Sequence, residues 1–230
     1  MKQLTTYIFD LDGTLLDTLS DLATSVNYAL AHHNMPVRTT DEVRAFVGNG
    51  VENLILRAVP QDTPPAVATE VLDTFRKYYI QHSEDSTMPY PGIISLLEQL
   101  KQRGIKTAVV SNKFHAATQA LCNRYFGSLI DVAVGEGNGI RRKPESDGVI
   151  EVMRQLGATA EESVYIGDSD VDILTAKNAN ISCVSVLWGF RDAEFLQCNG
   201  QCVLCQNLCS SLIYNLYRLN LSSGISLYSK

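Results

Sequence analysis

Three observations on the sequence predict an α/β architecture, a doubly wound parallel sheet carrying an inserted helical subdomain. Short β-rich runs alternate with helical patterns along most of the chain, the pattern of a parallel sheet covered on both faces. Over residues 19 to 86 the alternation stops, and apolar residues recur at helical spacing with no strand between them. Proline and glycine then mark both the divisions of that stretch and the return to alternation.

Taken in order, the β-rich runs lie at 7–9, 107–110, 132–134, 163–166 and 183–187, which predicts a five-stranded, Rossmann-like sheet. Helical patterns at 94–101, 115–125, 146–156 and 170–179 fall between them. Pro36, Gly48, Gly50, Pro60, Pro64 and Pro65 cut the insert into three or four helices, and Pro89, Pro91 and Gly92 mark its end. The expected domains are therefore a core of 1–17 with 87–208, a helical cap of 18–86, and a tail of 209–230.

Composition narrows the function classes. Of 230 residues, 45% are apolar and 19% charged, ordinary globular usage, and no apolar run is long enough to span a membrane. A net charge of -6 offers no basic face for a nucleic-acid backbone. The opening residues lack a signal-peptide pattern, so a cytoplasmic protein is expected. Cys122 and Cys183 fall in apolar-patterned segments and read as buried thiols, whereas Cys198, Cys202, Cys205 and Cys209 cluster late. In a reducing compartment none needs a disulfide. The late cysteines lack the close pairs and longer insert that structural zinc favours, so they read as a mixture of packed and exposed thiols.

Four segments carry chemistry. The first run ends in Asp10-Leu11-Asp12-Gly13-Thr14, and strand periodicity puts both carboxylates on one side, at the end where parallel sheets hold ligands. Close carboxylates repel unless a proton or cation relieves them, and Mg²⁺ takes such hard oxygens together with phosphate. An Asp-Gly pair that merely begins a turn is the plainer alternative. The second run ends in Ser111-Asn112-Lys113, a hydroxyl, an amide and an amine suited to phosphate oxygens. Ser111 is the expected contact, with helix capping as its alternative.

Arg141-Arg142-Lys143-Pro144 sets a basic cluster before a proline able to open a helix. Lys143 can neutralise a phosphate and a nucleophile together, while Arg141 and Arg142 read as solvated surface. Gly167-Asp168-Ser169-Asp170-Val171-Asp172 follows the fourth run, with Asp168 and Asp172 four residues apart on one helix face. Asp168 can complete a metal site, and Asp172 can hold a metal-bound water or orient Ser169 and Lys143. Asp170 reads as a charge favoured at a helix N-terminus.

In this order, each at a strand end, the four segments resemble the four motifs of the haloacid dehalogenase superfamily, specifically its phosphatases with a helical C1-type cap. The resemblance covers about residues 5–207. Asp17-Thr18, Asp21-Leu22-Ala23, Val47-Gly48-Asn49-Gly50 and Trp188-Gly189 are similar to phosphoglycolate phosphatases in particular. It implies Asp10 as nucleophile, Asp12 as general acid and base, and Ser111 and Lys143 as phosphate ligands. Mg²⁺ would be held by Asp10, Asp168 and the Asp12 backbone carbonyl. Thr14, Asn49 and Asn112 join Ser111 and Lys143 as expected substrate contacts, with Ser169 and Asp172 behind them.

The implied activity is hydrolysis of a small phosphorylated metabolite through an aspartyl phosphate, with 2-phosphoglycolate favoured. Neither nucleic acid nor membrane is an expected partner, and the oligomeric state is left open. Dehalogenases of the superfamily lack the second aspartate, and the resembling sugar phosphomutases carry a cap histidine where this chain has Leu22. A phosphomutase, a pyrophosphatase or a non-catalytic phospholigand-binding protein on the same fold are the alternatives. The insert is expected to act as a lid, with Asn49 and either Arg44 or Arg57 meeting the rest of the substrate, and surface solvation as the alternative for each arginine.

The chain departs from the family in two places. Asn180 stands where a glycine is usual, a residue still able to take a left-handed cap. No acidic residue follows Glu194, and the tail from Gln197 onward is rich in Cys, Asn, Leu and Ser.

Overall fold

The computed structural model describes residues 4–48, 50–201 and 203–206. Two units divide the chain, one from the segments up to Leu15 and from Pro89 onward, the other Leu16–Met88. β1 (Thr6–Phe9) leads through β2 (Leu16–Asp17) into α1 (Leu19–His32), α2 (Thr40–Phe46), α3 (Gly50–Ala58) and α4 (Pro65–His82), and then β3 (Met88–Pro89). Next come α5 (Ile93–Gln102), β4 (Lys106–Phe114), α6 (His115–Tyr125), β5 (Val132–Glu136) and α7 (Asp147–Leu156). β6 (Ser163–Gly167), α8 (Asp170–Asn178), β7 (Ser182–Val186), α9 (Ala193–Cys198) and β8 (Leu204–Cys205) follow.

The main sheet has the order β5-β4-β1-β6-β7-β8, with parallel pairing throughout. From β1 the chain builds outward on one side through β4 and β5, then returns to the other side for β6, β7 and β8. The reversal falls at β1, so the crevice of such a sheet lies at its C-terminal end, between β4 and β6. Ile8, Ala108, Val110, Val134 and Tyr165 pack on one face with Val149 and Val152 of α7 and Ala176 of α8. Pleating sends Tyr7, Phe9, Val109 and Ile166 to the opposite face, and they too are buried. Burial of each such aliphatic side chain contributes about 1.5–3 kcal/mol.

Five strands were expected in the main sheet, and among the described residues it has six. β8 adds a two-residue edge strand, in register with β7 through Ser185 and Val186. So short a segment has no periodicity to read. β4 also runs past Val110 to Phe114, with an irregular register between those residues that carries Ser111, Asn112 and Lys113. Pro144 does not open a helix, because α7 begins only at Asp147 behind Ser146. Asn180 takes the left-handed conformation expected of it, at φ 57°.

Among the described residues of Leu16–Met88, α1, α3 and α4 each bury several residues, and α2 buries Val43 alone. α1 turns Leu22, Val26, Ala29 and Leu30 inward at the 3.6-residue period, and α4 does the same with Ala68, Val71 and Phe75. Pro65 opens α4, where its missing N–H costs nothing. Thr39 caps α2 by accepting the Glu42 N–H at 3.2 Å, while the Glu42 carboxylate accepts the Thr39 N–H at 2.7 Å. Arg44 pairs with Asp41 at 3.2 Å, and Arg57 donates to the Phe46 carbonyl at 2.8 Å. Asn49, the expected substrate contact between them, lies outside the described residues.

Candidate active site

Asp10 leaves the sheet immediately after β1, and its N–H donates to the Ile166 carbonyl at 2.8 Å, so β6 fixes where the carboxylate begins. Its Oδ1 lies 2.8 Å from Lys143 Nζ and accepts the Leu11 N–H at 2.7 Å. Lys143 Nζ is also 2.8 Å from Asp172 Oδ1, and 5.7 Å from the centre of the Tyr165 ring. Asp172 Oδ2 accepts from the Asp168 and Ser169 N–H groups at 3.1 and 3.0 Å and from Ser169 Oγ at 2.6 Å. One carboxylate therefore fixes the start of α8 with one oxygen and Lys143 with the other.

Asp168 is buried between two loops. Its Oδ2 accepts the Phe190 N–H at 2.6 Å, and its Oδ1 accepts from Thr14 Oγ1 at 3.3 Å. Trp188 Nε1 donates to the Thr14 carbonyl at 3.0 Å, so the turn after β7 holds both the first loop and the acid. Gly13 has φ +83°, and a Cβ there would approach Asp168 Oδ2 to 2.5 Å; the sharp turn and the close packing both require glycine.

On the β4 side, Ser111 is buried and its Oγ accepts the Lys113 N–H at 3.1 Å. Asn112 turns its amide to the protein, accepting the Lys143 N–H at 2.6 Å and donating to the Lys143 carbonyl at 3.1 Å. The lysine is thus gripped at its backbone by Asn112 and at its ammonium by two acids. Lys113 Nζ lies 3.5 Å from Asp12 Oδ1. Arg141 is a surface residue paired with Asp147 at 2.8 Å, and Arg142 lies 3.8 Å from Glu136.

Burial dominates the electrostatics. It pushes the Asp10 carboxyl well above the usual carboxylate range; Lys143 opposes the rise, and Asp172 and Asp168 add to it. Burial and then Asp172 push Asp168 up to about 7. For Lys143 burial alone would lower the value, but Asp10 and Asp172 outweigh it and hold the ammonium charged. Asp10, Asp168 and Asp172 can bring one oxygen each within 4.8 Å of one another. Three carboxylates against one ammonium leave a formal excess of two negative charges, which a hard divalent cation fits.

A family model described as haloacid dehalogenase-like hydrolase matches residues 7–186, from β1 to the end of β7. The chain belongs to the haloacid dehalogenase-like hydrolase family. Curated relatives include phosphoglycolate phosphatases of Pseudomonas syringae pv. syringae, 34% identical over 80% of this chain and 70% of the relative, and of Aquifex aeolicus, 32% identical over 80% and 84%. A solved structure from Lactobacillus delbrueckii subsp. bulgaricus, described provisionally as a phosphoglycolate phosphatase, superposes with a TM-score of 0.89 at 35% identity, covering 94% of this chain and 99% of the other. By family and relatives the chain is a hydrolase of the phosphatase class, acting on phosphoric monoesters.

The haloacid dehalogenase-like core brings together Asp10, Lys143, Asp168, Ser169 and Asp172, with Asp12 beside Lys113 and Thr14 beneath Asp168. Residues that the sequence did not single out complete the arrangement. Tyr165 lies under the Lys143 ammonium and donates its hydroxyl to the Val110 carbonyl at 3.1 Å, and the Phe190 N–H fixes Asp168. The signal for Tyr165 was a large polar-tipped ring in a strand of otherwise apolar and small residues. No side chain signals the Phe190 contact, because the donor is backbone.

Proposed function

We propose that the chain is a Mg²⁺-dependent phosphatase that moves a phosphoryl group from a small phosphate monoester to Asp10 and then to water. The observation that supports this most is the Asp10 carboxylate, buried at a strand end, 2.8 Å from a Lys143 ammonium that Asp172 holds from its other side at the same distance. Phosphoryl transfer needs positioned charge more than covalent machinery, and a carboxylate nucleophile divides it into two easier steps.

In the first step an Asp10 oxygen attacks phosphorus and the bond from phosphorus to the leaving oxygen breaks. Asp12 gives that oxygen its proton. In the second step Asp12 takes a proton from water, whose oxygen attacks phosphorus and returns Asp10 as a carboxylate with release of orthophosphate. Lys143 and Ser111 hold the phosphoryl oxygens. Asp10, Asp168 and the Asp12 backbone carbonyl would hold Mg²⁺, which when bound neutralises charge on the phosphoryl group. Asp172 and Ser169 keep Lys143 and Asp168 in place.

The first-choice substrate is 2-phosphoglycolate, on the names of the relatives, and the free thiols suit a cytoplasmic location. The test compares kcat/KM for 2-phosphoglycolate, a sugar phosphate, pyrophosphate and a nucleotide, each with and without Mg²⁺. Mg²⁺-dependent turnover that favours 2-phosphoglycolate is expected. Turnover independent of Mg²⁺, or preference for the nucleotide, contradicts the reading, and binding without turnover would make the chain a phospholigand-binding protein.

A further inference from the structure

Sequence grounds group Lys113 with the phosphate donors of its segment, yet its ammonium lies 3.5 Å from Asp12 Oδ1. The two side chains are only 11% and 21% exposed, so solvent and salt screen this pair less than a surface ion pair. Asp12 Oδ1 is enclosed and accepts no hydrogen bond among the described residues, which leaves the ammonium as the charge set against it. Asp10, two residues earlier, has a different ammonium, Lys143. The two carboxylates of the first loop are thus assigned one lysine each: Lys113 on β4, and Lys143 in the loop between β5 and α7.

The backbone of Lys113 is anchored well enough to act as a support. Its N–H donates to Ser111 Oγ at 3.1 Å and its carbonyl accepts from Thr118 Oγ1 at 3.2 Å. Gly135 packs so closely on it that an added Cβ would come within 2.4 Å of the Lys113 carbonyl oxygen. An ammonium on such a base can set the direction of a neighbouring carboxylate. Removal of that ammonium would free Asp12 to turn toward other cations, Lys143 among them, and misplacement of an acid or base by about 1 Å can cost on the order of 100-fold in rate.

We infer that Lys113 is a positioning residue that holds the Asp12 carboxylate apart from the Asp10, Lys143 and Asp172 cluster, ready to exchange a proton with the leaving oxygen and with water. The inference rests on the two-step reading above. Its consequence is that Lys113 acts only through Asp12 and leaves phosphate binding to Ser111 and Lys143.

The experiment measures kcat, KM and inhibition by orthophosphate for Lys113→Met and Lys113→Arg with 2-phosphoglycolate. It then follows the burst of p-nitrophenolate from p-nitrophenyl phosphate in Asp12→Asn and in Asp12→Asn/Lys113→Met. Lys113→Met is expected to lower kcat by about 10- to 100-fold, with KM and phosphate inhibition within about twofold of the parent. Lys113→Arg should recover at least half of the loss on a logarithmic scale, and in the Asp12→Asn background the methionine should change the burst rate by less than about twofold. An unchanged kcat, or a weaker phosphate inhibition with equal losses in both backgrounds, overturns the inference and leaves the two-step reading standing. Full turnover by Asp12→Asn alone overturns the two-step reading itself. Were Lys113→Met insoluble, Lys113→Gln carries the same comparison.

Discussion

A methyl group added at Gly189 would stand 2.3 Å from Asp168 Cβ and 2.5 Å from both Asp168 Oδ2 and the Gly13 carbonyl oxygen. None of these is the free end of a flexible side chain, so Gly189→Ala must shift the loop or the acid. The expected cost is about 1–3 kcal/mol of stability, read from the urea midpoint, with turnover falling further than stability because Asp168 is displaced. Equal stability and activity in the variant would mean that the turn after β7 does not hold Asp168. The thiols give a second prediction. Burial, aided by Asp12, pushes Cys122 up to about 12, whereas an unfolded thiol titrates near 8.5. The stability this group contributes is complete below the unfolded value and is lost as pH rises from there toward 12. Native protein at pH 8 should therefore alkylate at exposed Cys198 and not at Cys122, and rapid native labelling of Cys122 would contradict its burial. Cys183 is only partly buried and Cys205 is buried, while Cys202 and Cys209 lie outside the described residues.

At the scale of elements, Asp21 ties the first turn of α1 to the segment that follows α4. Its oxygens accept the Ser86 N–H at 2.9 and 3.1 Å, and Oδ2 also accepts the Thr87 N–H at 2.9 Å and hydroxyl at 2.8 Å. Asp21→Ala removes the carboxylate from these donors, although the Thr87 hydroxyl keeps the Ser83 carbonyl at 3.0 Å, and should destabilise the protein by about 2–3 kcal/mol, with Asp21→Asn losing less. A thermal or urea midpoint unchanged by the alanine would show that water replaces the carboxylate freely. Elements of this kind differ in how legible they are. β1, β4 and β6 could be read because apolar runs ending in Asp or Ser mark both a buried strand and its ligand-bearing end. β2, β3 and β8 are two residues each and exist only through their partners across the sheet, which no local pattern records. The site divides in the same way. Asp10 and Asp168 announce themselves by charge directly after a strand, and Lys143 and Asp172 by charge in the loop before α7 and in the first turn of α8, but the turning of Asn112 onto the Lys143 backbone and of Lys113 onto Asp12 depends on distant segments meeting.

For the whole molecule, all four site segments precede Leu187, and among the described residues the last strand of the main sheet ends at Cys205. Truncation after residue 207 should therefore leave Mg²⁺-dependent turnover within about threefold of the full chain, a margin under 1 kcal/mol in activation free energy. Loss of soluble protein on truncation would assign the last residues a packing role that the site does not require. The central claim is that Asp10 carries the phosphoryl group, and it can be read directly on the protein. Rapid quench during turnover of 2-phosphoglycolate with Mg²⁺, followed by borohydride reduction and peptide mass spectrometry, reports any acyl phosphate as homoserine. The account predicts homoserine at position 10 alone, appearing only with substrate, and its absence together with turnover in Asp10→Asn. Wild-type rates of hydrolysis by Asp10→Asn, or reduction at another carboxylate, would contradict it.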